Sequence, residues 1–357
     1  MKTLRDYNFE NKKVLVRCDF NVPLDEQGDI LDDFRIVQAL PTIKYLIEKN
    51  AKIVLISHLG EPEGMVVENL KMNNVAKKLS ELLNVSVQKA DDCIGDDVKK
   101  QIDNLKGGEV ILLENLRFHK EETHSTSSGQ ANLEFAKELA LLCDIYVNEA
   151  FSVSHRAHAS LVGITEFLPS CAGFLLEKEI VNLNKILKNP ERPMTVIVGG
   201  KKIETKSKFI NKISEIADFV LIGDLIKKEI IDKNIELLYP EKIFSAKDHL
   251  EDLAIEEDTV KLFKEKILQS KTIVWNGPLS YTENKEYAKG TLEIAKAIVE
   301  SKAFSVIGGG ETVEFIKSQG MMDQFSHVST GGGAMIAYLS GEKLPGIEAL
   351  NISHIKN

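Results

Sequence analysis

Runs of apolar residues alternate along this chain with stretches whose apolar positions recur at helical spacing. The runs are four to eight residues long and rich in Val, Ile and Leu, which is typical of strands buried on both faces of a parallel sheet. Alternation of this kind favours a doubly wound α/β fold. In the first helical stretch we expect Pro41 to kink or divide the helix. The clearest helical stretches are residues 35–50, 74–84, 131–143, 291–301 and 312–320.

The eight strongest apolar runs end in two different ways. Four in the first half stop in charged or hydrogen-bonding residues, namely VLVRCDFN (14–21), IVLISHLG (53–60), VILLENLRFH (110–119) and IYVNEAF (145–151). Four in the second half stop in glycine-rich turns, namely MTVIVGGKK (194–202), TIVWNGP (272–278), FSVIGGGET (304–312) and FSHVSTGGG (325–333). Ligands of open parallel sheets bind beyond the carboxyl ends of the strands. The pattern therefore predicts an anion held by side chains and a phosphate-like group held by backbone amides, meeting across a cleft.

The length of 357 residues indicates two domains. A long amphipathic stretch at 173–187 precedes a break with two prolines and is interpreted as an interdomain connector. The predicted fold class is α/β, with two doubly wound parallel-sheet (Rossmann-like) domains joined by an interdomain helix and hinge. Residues 225–270 are rich in Lys and Glu, helical in tendency and poor in strand signals. The expected boundaries are 1–172, 173–187, 188–340 and a tail, 341–357, that packs back on the first domain.

Composition narrows the class of protein. The net charge is −9, so the chain as a whole does not attract nucleic acid or an anionic membrane surface. The N-terminal residues contain no apolar signal region, and no apolar run is long enough to span a bilayer. Four scattered cysteines without a CxxC pair favour reduced thiols and argue against a zinc or disulfide framework. We therefore expect a cytoplasmic protein, with Cys18 as a packing thiol rather than a nucleophile.

The polar strand ends of the first half predict a basic anion site. Guanidinium groups match the oxygens of carboxylates and phosphates. A single arginine more often forms a surface ion pair, but several at successive strand ends favour a binding site. The HRAH stretch at 155–158 could instead bind a metal, although no nearby cysteine or carboxylate pattern supports this. The residues of the predicted anion site are Asp19, Asn21, Arg35, His58, Arg117, His155, Arg156 and His158.

The glycine-rich turns of the second half predict a phosphate site. The segment 199–206 places two glycine amides, Lys202 and Lys206 just past a strand, although a solvated first helical turn would look the same. It is not a Walker A loop, because GxxxxGK[ST] is absent. Three further turns, at 276–283, 308–312 and 329–333, expose N–H groups that can hold oxyanions. None matches the dinucleotide fingerprint, so a nicotinamide dehydrogenase is the weaker interpretation.

Taken in order, these motifs resemble the phosphoglycerate kinase family. They include VLVRCDFNVPL, SHLG-x-P, LLENLRFHKEE, YVNEAF, HRAHAS, AGFLLEKE, NPERP, IVWNGP, FSVIGGGET and FSHVSTGGGA. The resemblance implies a glycolytic kinase, expected to be a monomer, that transfers a phosphoryl group between ATP and the carboxylate of 3-phosphoglycerate. It also implies Mg²⁺ bound with ATP or ADP, an N-terminal domain for the acid, a C-terminal domain for the nucleotide, and hinge closure.

The resemblance assigns roles residue by residue. The phosphoglycerate contacts would be Asp19, Asn21, Arg35, His58, Arg117, His155 and Arg156. The nucleotide contacts would be Gly200, Lys202, Lys206, Asn276, Pro278, Glu283, Gly308, Gly309, Gly310 and Thr312, with Glu311 at the magnesium position. The transfer itself would involve Arg35, Lys202, Lys206, Gly309 and Gly332. A carboxylate nucleophile is already ionised at neutral pH, so these groups would serve to position two anions and neutralise charge.

The chain also departs from the family pattern. Glu61 stands where the family usually has an arginine near the substrate phosphate, and Glu311 and Glu149 each stand where it usually has an aspartate. Ser152 lies in a turn that usually carries glycine. The glycine-rich turn expected near the adenine is reduced to IGDLIKKE (222–229), and the segment 223–270 is divergent. Two alternatives to phosphoglycerate kinase activity therefore stay open. The chain would act on another small carboxylic acid, or it would be a catalytically silent binding or regulatory protein.

Overall fold

Two six-stranded parallel sheets form the framework of this protein in a computed structural model. The structure describes residues 1–123, 132–200, 203–246 and 254–352. Two compact units emerge from the contacts along the chain. The first comprises Met1–Glu179 together with Lys343–Asn357, and the second comprises Ile180–Glu342. Each unit contains one sheet, and this confirms the predicted α/β class with two doubly wound domains.

The first sheet has the strand order β3-β4-β2-β1-β5-β6, and every neighbouring pair is parallel. Its central strands consist almost wholly of buried residues, which explains their uninterrupted apolar sequences. Because all the strands run in one direction, the polar residues that follow them collect at one edge of the sheet. The strands are β1 Lys13–Arg17, β2 Lys52–Ile56, β3 Val87–Lys89, β4 Val110–Leu112, β5 Ile145–Asn148 and β6 Ser170–Ala172.

The second sheet has the order β12-β11-β10-β7-β8-β9, again with parallel neighbours throughout. Three of its four inner strands carry glycine-rich turns at their carboxyl ends, and these three are adjacent. The register pairs Asn276 at the end of the middle one with Val198 and Gly308 on its two neighbours. The three turns therefore lie side by side. The strands are β7 Met194–Val198, β8 Phe219–Ile222, β9 Ile243–Ser245, β10 Thr272–Asn276, β11 Phe304–Gly308 and β12 His327–Val328.

Helices cover both sheets. Those of the first unit are α1 Phe34–Glu48, α2 Asn73–Leu83, α3 Asp96–Asp103, α4 Leu133–Ala140 and α12 Pro345–Ile352. Helix α5, Phe174–Lys188, begins in the first unit and ends in the second. Those of the second unit are α6 Ile203–Ser214, α7 Asp224–Asp232, α8 Glu257–Leu268, α9 Lys289–Ser301, α10 Gly310–Ser318 and α11 Gly332–Leu339.

Pro41 does not divide α1, contrary to one expectation from the sequence. The helix runs without interruption from Phe34 to Glu48 with the proline inside it. Pro41 is exposed, and Val37, whose carbonyl loses its helical donor, is exposed as well. Water can therefore satisfy that carbonyl, so the helix tolerates the proline.

Four strands were missed by the sequence prediction: β3, β6, β8 and β9. Three of them contain only three residues, which is shorter than the apolar runs that identify a strand. Strand β9 lies inside the segment expected to be helical and carries no fully buried residue. The prediction was right for the helices of that segment, α7 and α8, and wrong in leaving no strand there.

The C-terminal segment belongs to the first unit. Helix α12 packs against β6, the Gly346 amide donates to the Ser154 carbonyl at 2.9 Å, and Asn148 Nδ2 donates to the Gly346 carbonyl at 3.3 Å. Among the described residues, no helix combines the length and the apolar character that crossing a membrane requires.

Candidate active site

Six of the seven predicted acid-binding residues lie together at the carboxyl edge of the first sheet. Asp19 and Asn21 follow β1, His58 follows β2, and Arg117 follows β4. Arg35 is the second residue of α1, whose amino end lies at this edge. Arg156 follows β5 and reaches the cluster through its contact with the Glu61 carboxylate. The strand order brings together residues that lie far apart in sequence.

Asp19 is the centre of this cluster. Its carboxylate accepts a hydrogen bond from Arg35 NH1 at 2.8 Å and one from the Asn21 amide at 3.1 Å. Arg35 NH1 also donates to the Asn21 carbonyl at 3.1 Å. The Ser152 hydroxyl donates to the same carboxylate. Since Arg35 is only half-buried, the rest of its guanidinium group is available to an incoming anion.

The loop after β2 is held rigidly beside this cluster. The Gly60 amide donates to Asn21 Oδ1 at 2.9 Å, and Asn115 Nδ2 donates to the Leu59 carbonyl at 2.7 Å. Asn115 Oδ1 accepts from the amides of Leu59 and Arg117 at 3.2 and 3.1 Å. A single buried asparagine thus ties the β2 loop to the β4 loop, and its position in the LLENLRFH motif gave no direct sign of this role.

Glu61 forms an ion pair with two of the arginines predicted to contact phosphoglycerate. One carboxylate oxygen lies 2.6 Å from Arg117 NH1 and 4.0 Å from Arg156 NH1. Arg117 is only 3% exposed, whereas the side chains of Glu61 and Arg156 are 67% and 45% exposed. Glu61 therefore places a negative charge directly beside these two arginines.

A buried ion pair behind the cluster was missed by the sequence analysis. Arg17 and Glu122 are fully buried, with Arg17 NH2 lying 3.6 Å from the Glu122 carboxylate. Arg17 Nε donates to the Ser160 hydroxyl at 2.8 Å, and that hydroxyl donates to Glu122 at 2.7 Å. The sequence contained a signal for this pair, because an arginine inside an otherwise apolar strand needs a buried partner.

Two histidines of the cluster have lowered pKa values. Burial, reinforced by Arg17 and Arg117, lowers the pKa of His58 well below its usual value and that of His158 to about 3. The arginines are therefore the main source of positive charge at this site, and His58 and His158 offer hydrogen bonds instead. His155 is half-buried and close enough to His158 to contribute to lowering its pKa.

Two residues that depart from the family pattern have structural partners. Ser152 binds Asp19, as described above. Glu149 is fully buried, and its carboxylate accepts from the Leu175 amide at 3.1 Å in the first turn of α5. Burial is the main cause that raises the pKa of Glu149, to about 8. A neutral acid therefore caps the helix that runs into the second unit.

The cysteines carry no sign of catalysis. Cys18 is fully buried, and desolvation raises the pKa of its thiol well above the usual value. Cys93 forms a small cluster with Asp92 and His119, whose potential ligand atoms lie within 4.8 Å of one another. These groups already form hydrogen bonds: His119 Nε2 lies 2.6 Å from Asp92 Oδ1, and the Cys93 thiol donates to the Glu114 carbonyl. This cluster was not predicted, and its internal hydrogen bonds account for it.

In the second unit, the turns after β7 and β10 interlock through their backbones. The Gly199 amide donates to the Asn276 carbonyl at 3.0 Å, and the Gly200 amide donates to the Pro278 carbonyl at 2.7 Å. A Cβ on Gly199 would lie 2.1 Å from the Pro278 carbonyl oxygen, so only glycine fits there. The buried Lys206 Nζ donates to the Gly199 carbonyl, so this lysine lies beside the turn as predicted.

The turns after β11 and β12 come equally close to each other. A Cβ on Gly332 would lie 2.6 Å from Gly309 Cα. Gly309 has a φ of 98° and caps α10, and Gly332 begins α11. Gly308 closes β11 against Met335. Within the described part of the chain, Asn276 Nδ2 and Thr312 Oγ1 are buried beside these turns without hydrogen-bond partners. Amides at helix amino ends and orphaned donors fit the oxygens of a nucleotide phosphate.

The remaining predicted nucleotide residues are more exposed. Glu311 is exposed in the first turn of α10, directly after Gly310, around which no atom lies within 4 Å of an added Cβ. An exposed carboxylate beside the amides at the start of a helix fits Mg²⁺, which commonly uses one or two carboxylates plus substrate phosphates. Glu283 lies in the loop before α9, where it accepts from the Tyr281 hydroxyl. Lys202 lies outside the described residues.

The segment expected to be divergent begins with a helix. Helix α7 begins directly after Gly223, and a Cβ there would lie 3.3 Å from the Leu279 side chain. Lys227 Nζ donates to the Ala246 carbonyl at 2.7 Å and ties α7 to the end of β9. The chain after β8 therefore enters a helix at once, and that helix is held against the neighbouring strand end.

Comparisons with known proteins agree with the whole architecture. The family model described as "Phosphoglycerate kinase" matches residues 4–237 and 232–342, and the two matched parts meet inside the divergent segment. "Phosphoglycerate kinase" from Dictyoglomus turgidum is 42% identical over 393 positions, covering 97% of each chain. The corresponding protein of Clostridium tetani is 41% identical over 398 positions, covering 98% of each. These alignments are longer than the 357 residues of this chain, so the chain has gaps relative to both proteins.

Solved structures give the same result. The crystal structure of phosphoglycerate kinase from Pyrococcus horikoshii superposes with a TM-score of 0.88 at 34% identity, covering all of both chains. That of phosphoglycerate kinase from Coxiella burnetii gives a TM-score of 0.79 at 31% identity, covering 98% of each. On the strength of sequence, fold and strand-end motifs together, this chain belongs to the phosphoglycerate kinase family.

Proposed function

We propose that this chain is a phosphoglycerate kinase that transfers a phosphoryl group reversibly between ATP and the carboxylate of 3-phosphoglycerate. Membership of the family supports this activity. The single observation that carries it is the convergence of Arg35, Asp19 and Arg117 at one sheet edge. The second unit offers backbone amides of the kind that a nucleotide phosphate requires.

In the proposed assignment, the acid binds to the first unit. Arg35 and Arg156 have exposed guanidinium surface for an anion, and Asp19 fixes Arg35 in position. His58 is neutral and offers a hydrogen bond rather than a charge. Asn21 holds the adjoining loop, and His155 completes the set that the resemblance implies.

The nucleotide phosphates bind to the turns of the second unit. Asn276 Nδ2, Thr312 Oγ1 and the amides at Gly309 and Gly332 would receive phosphate oxygens. Lys206 would supply positive charge, together with Lys202. Glu311 would hold Mg²⁺, whose chemistry is to neutralise charge on the phosphate oxygens. Gly200, Pro278, Gly308 and Gly310 shape the site, and Glu283 is assigned to the ribose.

The chemistry requires positioning rather than proton transfer. A carboxylate oxygen of the acid forms a bond to the γ-phosphorus, and the bond from that phosphorus to the bridging oxygen breaks, so that ADP leaves. The attacking carboxylate is ionised at neutral pH, so no general base is needed. Arg35 and Lys206 would neutralise the charge that the two anions bring together. Closure of the two domains and a monomeric state remain predictions from the sequence.

The test is a coupled assay with MgATP and 3-phosphoglycerate on matched variants. Arg35→Ala and Lys206→Ala should each lower kcat/KM by about 10²-fold or more. Arg5→Ala and Lys212→Ala are the controls, since both residues form exposed ion pairs, and both variants should stay within about twofold of wild type. Absence of turnover in folded wild-type protein would contradict the proposal.

One observation favours a second acid substrate. Glu61 places negative charge on Arg117, where a substrate phosphate would otherwise bind. Trapping of acyl phosphates with hydroxylamine, over a panel of small carboxylic acids with MgATP, would detect a kinase with a different acceptor. A larger kcat/KM for an unphosphorylated acid than for 3-phosphoglycerate would replace the first proposal with this one.

A further inference from the structure

Glu61 lies where a side chain can occupy the site of a ligand. It follows Gly60 in the loop after β2, and its side chain is 67% exposed. Its carboxylate oxygen lies 2.6 Å from Arg117 NH1, and the more exposed Arg156 NH1 is 4.0 Å from the same oxygen. One carboxylate therefore serves as the counterion of two arginines that come from different strand ends.

Arg117 has a particular need for an anion. Burial lowers the pKa of its guanidinium group, and the negative charge of Glu61 opposes that effect. Arg117 NH1 donates to the Gly60 carbonyl at 2.8 Å, but Arg117 Nε is buried and has no hydrogen-bond partner among the residues that the structure describes. A buried charge with an unsatisfied donor is costly, so the group binds an anion from solution or one from the chain itself.

The carboxylate can leave without any movement of the loop. The Gly60 amide is fixed by Asn21, and the Leu59 carbonyl is fixed by Asn115. Pro62, the next residue, is buried and restricts the backbone of Glu61. Only the exposed side chain of Glu61 has to rotate, so release costs the ion pair and no backbone contact.

We infer that Glu61 is a specificity-determining residue that competes, as an internal anion, with the phosphate group of the acid substrate. This inference rests on the proposed function, which places the substrate phosphate at Arg117 and counts Arg156 among the contacts of the acid. Binding is then an exchange in which a dianionic phosphate displaces a single carboxylate. The exchange lowers the affinity for a phosphorylated acid and leaves the affinity for an unphosphorylated acid unchanged.

The experiment compares Glu61→Gln and Glu61→Ala with wild type by calorimetry and by steady-state kinetics. The Kd and the KM for 3-phosphoglycerate should both fall about tenfold, and kcat should stay the same. Binding of glycerate, the same acid without its phosphate, should not change. Glu63→Gln is the matched control, since Glu63 is exposed in the same loop and contacts neither arginine among the described residues.

Calorimetry with inorganic phosphate separates failure of this inference from failure of the proposed function. If wild-type protein shows no turnover but Glu61→Gln binds inorganic phosphate more tightly than wild type, the kinase proposal fails and the competition stands. If turnover is normal and neither variant gains affinity for 3-phosphoglycerate, the competition is overturned and the kinase proposal stands. The competition would also be overturned if neither wild type nor the two variants bound inorganic phosphate or 3-phosphoglycerate.

Discussion

The two units build their candidate sites from different materials. In the first unit, side chains bind one another: Arg35 binds Asp19, Ser152 binds the same carboxylate, and Arg117 binds Glu61. In the second unit, glycine backbones approach within van der Waals contact, and two polar side chains at the turns have no hydrogen-bond partner in the described ranges. A site made of side chains can change by single substitutions that keep the fold. A site made of backbone is fixed by the fold itself.

The largest effect should come from the buried charge of the first unit. Arg17→Leu leaves Glu122 buried without its counterion, which should lower the free energy of unfolding of this unit by about 3–5 kcal/mol. Denaturant unfolding followed by hydrogen exchange would measure the change in each unit. Arg17→Met/Glu122→Gln should recover part of the loss, because it removes both charges and keeps an oxygen for the Ser160 amide. If Arg17→Leu lowered the free energy of unfolding no more than Arg5→Ala does, the Arg17–Glu122 pair would not be important for stability.

In the second unit, adding a single methyl group to one glycine of the turns should strongly reduce catalysis. Gly332→Ala places a Cβ 2.6 Å from Gly309 Cα, so one turn must move by about an ångström. A displacement of that size should lower kcat/KM by about 10²-fold and weaken ADP binding, while binding of 3-phosphoglycerate stays the same. Gly310→Ala is the control for folding, because its Cβ meets no atom within 4 Å. Unchanged ADP affinity in Gly332→Ala would show that the site tolerates side chains.

The pH dependence of stability should also separate the two units. Glu149 has a folded-state pKa of about 8, against a usual value of 4.5, so the folded protein binds a proton that the unfolded chain has already lost. Stability contributed by this group is therefore lost as the pH rises. His58 and His158 act in the opposite sense, but only below their usual pKa of 6.5.

Between pH 6.5 and 8 the contribution of Glu149 to the unfolding free energy of the first unit should therefore fall by about 1.5 kcal/mol. Glu149→Gln should flatten this decline, whereas Glu48→Gln, at an exposed position at the end of α1, should leave it in place. Chemical denaturation at a series of pH values would measure both slopes. An equal decline in the second unit would argue against Glu149 as its source.

The smallest predicted effect is an increase in stability rather than a loss. Thr312 Oγ1 is buried and, among the residues described, has no hydrogen-bond partner, so Thr312→Val should stabilise the ligand-free protein by about 1 kcal/mol. The same change should reduce the extra stability that ADP confers. Thr291→Val is the matched control, since its buried hydroxyl lies 2.6 Å from that of Ser280, and it should destabilise the protein. Thermal unfolding with and without ADP would measure the change in stability of the ligand-free protein and the change in the stability that ADP adds.

The fold and the strand-end clusters could be read from the sequence because long buried strands have distinctive sequences. The runs ending at Asp19, His58 and Asn276 are almost wholly apolar until the site begins, so both the strand and its functional end were visible. Strands β3, β6 and β9 lacked this signal, because three residues do not establish a period.

Partnerships between side chains were the part that the sequence did not reveal. Nothing near Glu61 in the sequence points to Arg117, and the two meet only because β2 and β4 are neighbours in the sheet. The same holds for Arg17 with Glu122 and for Glu149 with the start of α5. The protonation of the histidines depends on burial among these partners, which residue type alone does not determine.

The return of the chain to its first unit has a consequence for synthesis. Residues from Lys343 onward complete a unit that begins at Met1, and Gly346 is bonded to both Ser154 and Asn148. The second unit, Ile180–Glu342, is continuous in sequence. On the ribosome, the unit that is begun first is thus the last for which all residues become available. The first unit can therefore be completed only after the whole of the second unit has been synthesised.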